Sequence, residues 1–217
     1  MIRIATLFLL FVSTFAQAQQ PSIKGGLSAF IKRNIIYPAY SLHHCIQGTV
    51  NVGFKLNAKG EVYYTAINKG MGTDLDDEAL RLIRMSSGKW TVPLSHDTTA
   101  LLVVPVNFSL DGYDCRFVSA NDIALAIKGY KDEQALVNVV LNYYRNKENG
   151  NLKPEELPKI MKLKAELGID DDYLNSRIEA GLSKYKQGDK LGACEEFSFV
   201  KYMGSPKAKE YLDKYCK

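Results

Sequence analysis

The sequence predicts an α+β fold: a small three-stranded antiparallel sheet packed with two helices, in strand order 2-1-3, followed by an all-α region. Three observations carry that prediction. Apolar residues alternate with period two over 50–56 and again over 104–110, with a β-prone run at 61–67 between them. A helical period takes over from Asp74 to Arg84, and beyond Asp111-Gly112 the periodic stretches are helical. With 217 residues, 46% of them apolar, the chain can bury one substantial core or two small ones. The change of pattern favours two units, over 25–112 and 117–217.

The elements follow in order. Residues 1–18 read as a cleaved secretory signal: Arg3 begins it, Ile4 to Ala16 is apolar, and Ala16-Gln17-Ala18 supplies a small-residue cleavage site. An uncleaved anchor is the competing reading, although the apolar run falls short of the ~20 residues that span a bilayer. Leu27, Phe30, Ile31 and Ile35 give an amphipathic first helix over 27–36, ended by Tyr37-Pro38 because the residue before proline leaves the helical region. Ala39 to Gln47 is expected to be a loop. Val50, Val52, Phe54 and Leu56 then line one face of a strand, Asn57-Ala58-Lys59-Gly60 turns it, and Val62 to Ile67 returns antiparallel. Leu75, Ala79, Leu82 and Ile83 share one face of the second helix, behind Thr73 or Asp74 as N-cap. Trp90 reads as a packing anchor after that helix. The third strand runs roughly from Leu101 to Leu110. Ser119–Lys128 and Glu133–Arg145 read as two further helices, Pro154 opens one that stops before Gly168, and Asp170 to Asp172 opens another through Tyr185. Gly181, Tyr185, Gly188-Asp189, Ala193, Phe197 and Pro206 are similar to a degenerate tetratricopeptide-type helix pair, near 176–216.

The four cysteines allow three pairings in an oxidising compartment. A right-handed crossover through the second helix, with the first strand central, brings the start of strand one and the end of strand three to one edge of the sheet. Cys45 and Cys115 flank those two points and are expected to pair, leaving Cys194 with Cys216. Four free buried thiols are the alternative. His43, His44 and Cys45, with Cys115, invite a metal reading, but adjacent histidines point apart and the spacing matches no common zinc pattern. No metal or other cofactor is expected. A net charge of +4, with lysines spread along the chain, gives no nucleic-acid footprint. The acidic residues at 74–78 sit where a helix N-terminus wants them, and no serine or cysteine stands in a nucleophile setting, so no catalytic residue is expected.

The same residues carry a family likeness. Tyr37-Pro38, Gly48-Thr49-Val50, Phe54, Gly60-Glu61-Val62, Leu75-Asp76-Asp77-Glu78-Ala79-Leu80, Lys89-Trp90 with Pro93, and Val104-Pro105-Val106-Asn107-Phe108 occur in that order over about eighty residues. In that order they resemble the C-terminal domain of TonB-type energy transducers. The resemblance implies a non-enzymatic periplasmic domain that grips a short peptide, the TonB box of an outer-membrane receptor, by adding it to a sheet edge. It also implies association with a proton-driven motor complex. After the expected cleavage only Gln19 to Gly26 precede the domain, at most on the order of 30 Å of reach. The expectation is therefore a partner in TonB-type transport rather than a complete transducer.

Pro105 bears on that function. A proline inside a strand removes a ladder donor and is tolerated chiefly at an edge or a bulge, so the third strand should be an edge. An open edge can capture a peptide, or it can be one blunted against aggregation. The resemblance favours capture, with Leu101, Leu102, Val103, Val104, Pro105, Val106, Asn107 and Phe108 as the partner-binding set. Another periplasmic protein, or a second copy of this chain forming a homodimer, could occupy the same edge. The second reading is an exported adaptor whose helical tail makes the protein contacts.

Overall fold

The structure, a computed structural model, describes residues 20–151 and 153–216; the expected signal segment lies outside them. Five strands and eight α-helices follow along the described chain: β1 (Ser22–Ile23), α1 (Leu27–Asn34), α2 (Ala39–His43), β2 (Gly48–Leu56), β3 (Val62–Lys69), α3 (Asp74–Met85), β4 (Trp90–Thr91), β5 (Leu102–Phe108), α4 (Ala120–Glu148), α5 (Leu157–Glu166), α6 (Asp171–Lys186), α7 (Lys190–Tyr202) and α8 (Ala208–Tyr215). A 3-10 turn at Pro154–Glu156 leads into α5. β3, β2 and β5 form an antiparallel sheet in the order β3-β2-β5, which is the predicted 2-1-3 arrangement.

The sheet has one apolar face. Val50, Val52, Phe54 and Leu56 of β2 and Val106 of β5 are fully buried, and α3 covers them with Leu75, Ala79, Leu82 and Ile83, also fully buried. Each of these valine, leucine, isoleucine and phenylalanine side chains contributes about 1.5–3 kcal/mol by leaving water. The β2–β3 hairpin turns on Asn57, whose carboxamide oxygen accepts from the Lys59 and Glu61 amides at 2.9 and 3.0 Å. Gly60 follows with φ +77°, and a Cβ there would collide with the Trp90 carbonyl. Trp90 stacks on Phe54 at 5.2 Å and donates from its indole to the Ser86 hydroxyl at 2.8 Å. It also pairs with Ile23 in a second, two-stranded sheet that the sequence reading did not anticipate.

Besides shifts of one or two residues at the ends of α1 and β5, three features differ from the sequence expectation. Part of the expected loop over 39–47 is the helix α2, because the Asp74 carboxylate accepts from the Tyr40 amide at 3.0 Å and from the Ser41 amide. That N-terminal acceptor comes from another element, 34 positions away. The two helices expected between Ser119 and Arg145 are one continuous helix, α4. Ile123, Ala126 and Ile127 of α4 pack on the sheet core, whereas Val137, Val140 and Leu141 lie in a second core. The apolar stripe changes partner, which reads in sequence as a break. The helix near Pro154 begins three residues late, after the 3-10 turn.

The second core is built by α4 to α8 around Leu174, Phe197, Val200 and Met203. Gly181 lets α6 and α7 approach, since a Cβ there would lie 2.5 Å from the Phe197 ring. Disulfides join Cys45 to Cys115 and Cys194 to Cys216, with Cα atoms 5.8 and 5.7 Å apart. They span 70 and 22 positions, for which loop-closure entropy corresponds to about 4 and about 3 kcal/mol. Replacing Cys194 and Cys216 together by alanine is expected to lower the urea-unfolding free energy of the helical region by about 3 kcal/mol, read by far-ultraviolet circular dichroism. An unchanged midpoint would contradict that assignment.

Candidate strand-addition site

β5 is an outer strand. Its seven-residue ladder with β2 runs from Gly48↔Phe108 to Phe54↔Leu102 without a register shift. Pro105 sits within it, opposite Asn51, and a proline can occupy an unbroken ladder only where its nitrogen faces away from the partner strand. The odd-numbered residues therefore turn their main-chain groups to the free edge. Val103 and Asn107 present N–H donors there, and Val103, Pro105 and Asn107 present carbonyls. Side chains divide by the same parity. Val106 and Phe108 are in the core, Leu102 and Val104 are half-buried, and Val103, Pro105 and Asn107 are exposed on the outer face. Leu101 precedes the strand and lies over Gly53. Thr49 donates to the Asn107 side-chain oxygen at 3.0 Å and Gln47 accepts from the Leu110 amide at 2.8 Å, which holds the end of the strand.

A groove of about 650 Å³ runs along that edge. Val104, Pro105, Asn107 and Ser109 form one side, and Leu27, Ile31 and Ile35 with Tyr37 form the other. The amphipathic spacing of the first helix was legible in the sequence, but its place as the wall of this groove was not. That place is fixed by a buried ion pair on α3. Glu78 and Arg81 are 7% and 8% exposed and bond through two contacts of 2.6 and 2.7 Å. Glu78 also accepts from the Ile36 amide at 2.8 Å, and Arg81 donates to the Asn34 carbonyl at 2.7 Å. The hydrogen bond to Glu78 raises the Arg81 pKa above its usual value. Lys32 and Asp111 lie in the groove lining as exposed charges.

Tyr37 closes the end of the wall. Its hydroxyl donates to the Ile46 carbonyl at 2.6 Å and its ring meets Phe108 edge-on at 5.9 Å. Burial first, and the Asp74 carboxylate second, push its pKa up to about 12.

The other chemistry-bearing groups are engaged in local contacts. Cys45 and Cys115 are bonded to each other, so their thiolates are not there for a metal. His44 holds the Tyr40 carbonyl through Nδ1, and among the described residues no cluster of metal-ligating side chains forms. Asp97 accepts from the Thr99 amide and hydroxyl in a local turn.

Residues 33–110 match the family model of the Gram-negative bacterial TonB protein C-terminal. The matched stretch runs from the end of α1 through β5 and covers well under half of the chain. No curated protein and no solved structure gives a significant match. TonB C-terminal domains are periplasmic, non-enzymatic interaction domains of energy transducers. Among the described residues no helix is long and apolar enough to cross a membrane. Leu27 and Ile31 precede the TonB C-terminal match, so the groove extends beyond it.

Two expectations follow from this geometry. Arg81→Ala should cost about 3–5 kcal/mol, because it leaves Glu78 buried without its cation; a loss under about 1 kcal/mol in urea titration would rule that out. The Tyr37 phenol, raised in the folded state, stabilises the fold fully below about pH 10, the unfolded value, and that contribution is lost as pH climbs toward about 12. Tyr37→Phe should therefore show a shallower loss of stability above pH 10, measured by thermal melts across pH.

Proposed function

We propose that this protein captures an extended peptide by strand addition to β5, as a periplasmic partner in TonB-type transport across the outer membrane. The open, ladder-competent edge of β5 facing the apolar wall of α1 carries this reading. An added strand would bond to the main-chain groups of Val103, Pro105 and Asn107 while its alternate side chains rest on Leu27, Ile31 and Ile35. Main-chain pairing supplies affinity, and the wall selects apolar residues at every second position. The preferred occupant is the TonB box of an outer-membrane receptor, with association to a motor complex following from the same role. Leu101 to Phe108 form the contact strand; within it Val106 and Phe108 support the site from the core rather than touch the peptide.

The helical region supports a second reading, in which the chain is an adaptor whose tail recruits another periplasmic protein. It has its own core, and a disulfide joins Cys194 of α7 to Cys216 just after α8. A second copy of the chain pairing edge to edge through β5 would compete with peptide.

Isothermal titration with TonB-box peptides separates these readings. Val103→Pro removes one of the two remaining edge donors without touching the ladder to β2, and should weaken peptide binding about tenfold, the equivalent of one net hydrogen bond. Equal affinity for wild type and variant would sink the β5 reading. Absence of any peptide binding together with a dimer that Val103→Pro disperses would point to edge-to-edge pairing.

A further inference from the structure

We infer that the cleft between β3 and the helical region is a second binding site, taking an extended peptide that carries Asp or Glu side chains. The cleft lies at the opposite edge of the sheet from β5. It is an open cleft of about 540 Å³. Consecutive residues Tyr63, Tyr64 and Thr65 line it, so it runs past the backbone of β3 and not past one face alone. β3 is the other outer strand of the sheet, and Tyr63 and Tyr64 are nearly half exposed. Leu141 and Phe199 give the facing wall an apolar floor.

Charge selects the occupant. Three guanidinium groups line the cleft, from Arg84, Arg145 and Arg177, against one carboxylate, Glu195. Arg84 is already committed: it grips both Glu195 oxygens at 2.6 Å and donates to Thr65 at 2.8 Å. Arg177 lies 2.6 Å from Glu196 and 4.4 Å over the Phe199 ring, but Glu196 is shared with Lys184, also at 2.6 Å. The Asp77 carboxylate also lies near both cations, so Arg177 and Lys184 are answered by Glu196 and Asp77 together. Arg145 is exposed, stacks 4.8 Å over Tyr202 and has no carboxylate partner among the described residues. Arg145 thus keeps an uncommitted positive charge in the cleft beside the outer strand β3, and guanidinium groups favour carboxylates through paired N–H donors. A neutral or basic segment would leave that charge unanswered.

The walls are also held in place before any ligand arrives. Arg84 bridges α3 to α7, Arg81 donates to the Gln187 side chain at 2.9 Å, and α4 belongs to both cores. A site whose walls are already ordered loses less entropy on binding. Arg145, Arg177 and Phe199 lie outside residues 33–110, so this site is built by the helical region together with the sheet.

The test is fluorescence anisotropy with the full chain and a fluorescein-labelled octapeptide of alternating Glu and Val, against a Lys-Val counterpart. The Glu peptide should bind and the Lys peptide should not, with affinity falling as salt rises. Arg145→Glu should weaken the Glu peptide at least about tenfold, while Lys128→Glu, an equal charge change outside the cleft, and Val103→Pro, at the β5 edge, should leave it within about twofold. Circular dichroism melts establish that each variant is folded. Arg145→Ala, which removes the charge without reversing it, should fall between wild type and Arg145→Glu. No binding of the Glu peptide, an equal loss with Lys128→Glu, or a loss confined to Val103→Pro would each overturn the proposal.

Discussion

The Glu78–Arg81 pair is the interaction on which the other parts depend. Two charges removed from water on one helix face are costly unless every donor and acceptor is met. Here the main-chain groups that meet them are the Asn34 carbonyl and the Ile36 amide at the end of α1, and one side-chain partner is Gln187 beyond α6. The cost of burying the pair is thereby converted into position. α1 is held against the sheet with its apolar side toward the free edge of β5, and α3 is tied to the start of the second core.

α4 extends that constraint across the molecule. Its first half packs on the sheet core and carries the Ala126 carbonyl that accepts from the Tyr40 hydroxyl at 2.7 Å; its second half is a wall of the helical core. Because one helix belongs to both cores, shifting one against the other would break packing on both sides. Arg84 and Glu195 add a bidentate contact between α3 and α7. Glu195 is 61% exposed, so this bond contributes more to geometry than to stability. The two outer strands of the sheet consequently differ. β5 looks onto an apolar groove with few charges, while β3 looks into a cleft bordered by arginines and aromatic rings. One sheet thus presents two chemically different edges.

Some of this was legible from local sequence. Alternation at Val50, Val52, Phe54 and Leu56 and the spacing of Leu75, Ala79, Leu82 and Ile83 identified the buried faces, because side-chain direction in a strand or helix follows from backbone period alone. Pro105 marked an edge strand because a missing N–H is a local fact. Handedness of the crossover then brought Cys45 to Cys115, since the topological choices are few. Other parts were not legible. The α2 turn depends on the Asp74 carboxylate, and the pairing of Ile23 with Trp90 joins residues 67 positions apart with almost no strand pattern.

The sequence by itself therefore determined which residues face inward, where the strands turn, and which strand has a proline-marked edge, because each follows from backbone geometry within a few residues. Tertiary structure alone decided that α1 walls the β5 groove, that α4 is a single helix shared by two cores, and that Arg84, Arg145 and Arg177 gather beside β3. Those features arise from contacts between residues far apart in the chain, such as Arg84 with Glu195 and Arg81 with Gln187, 111 and 106 positions distant. Such contacts leave no periodic trace, since a charged residue on an otherwise polar face looks the same in sequence whether it meets water or a partner helix.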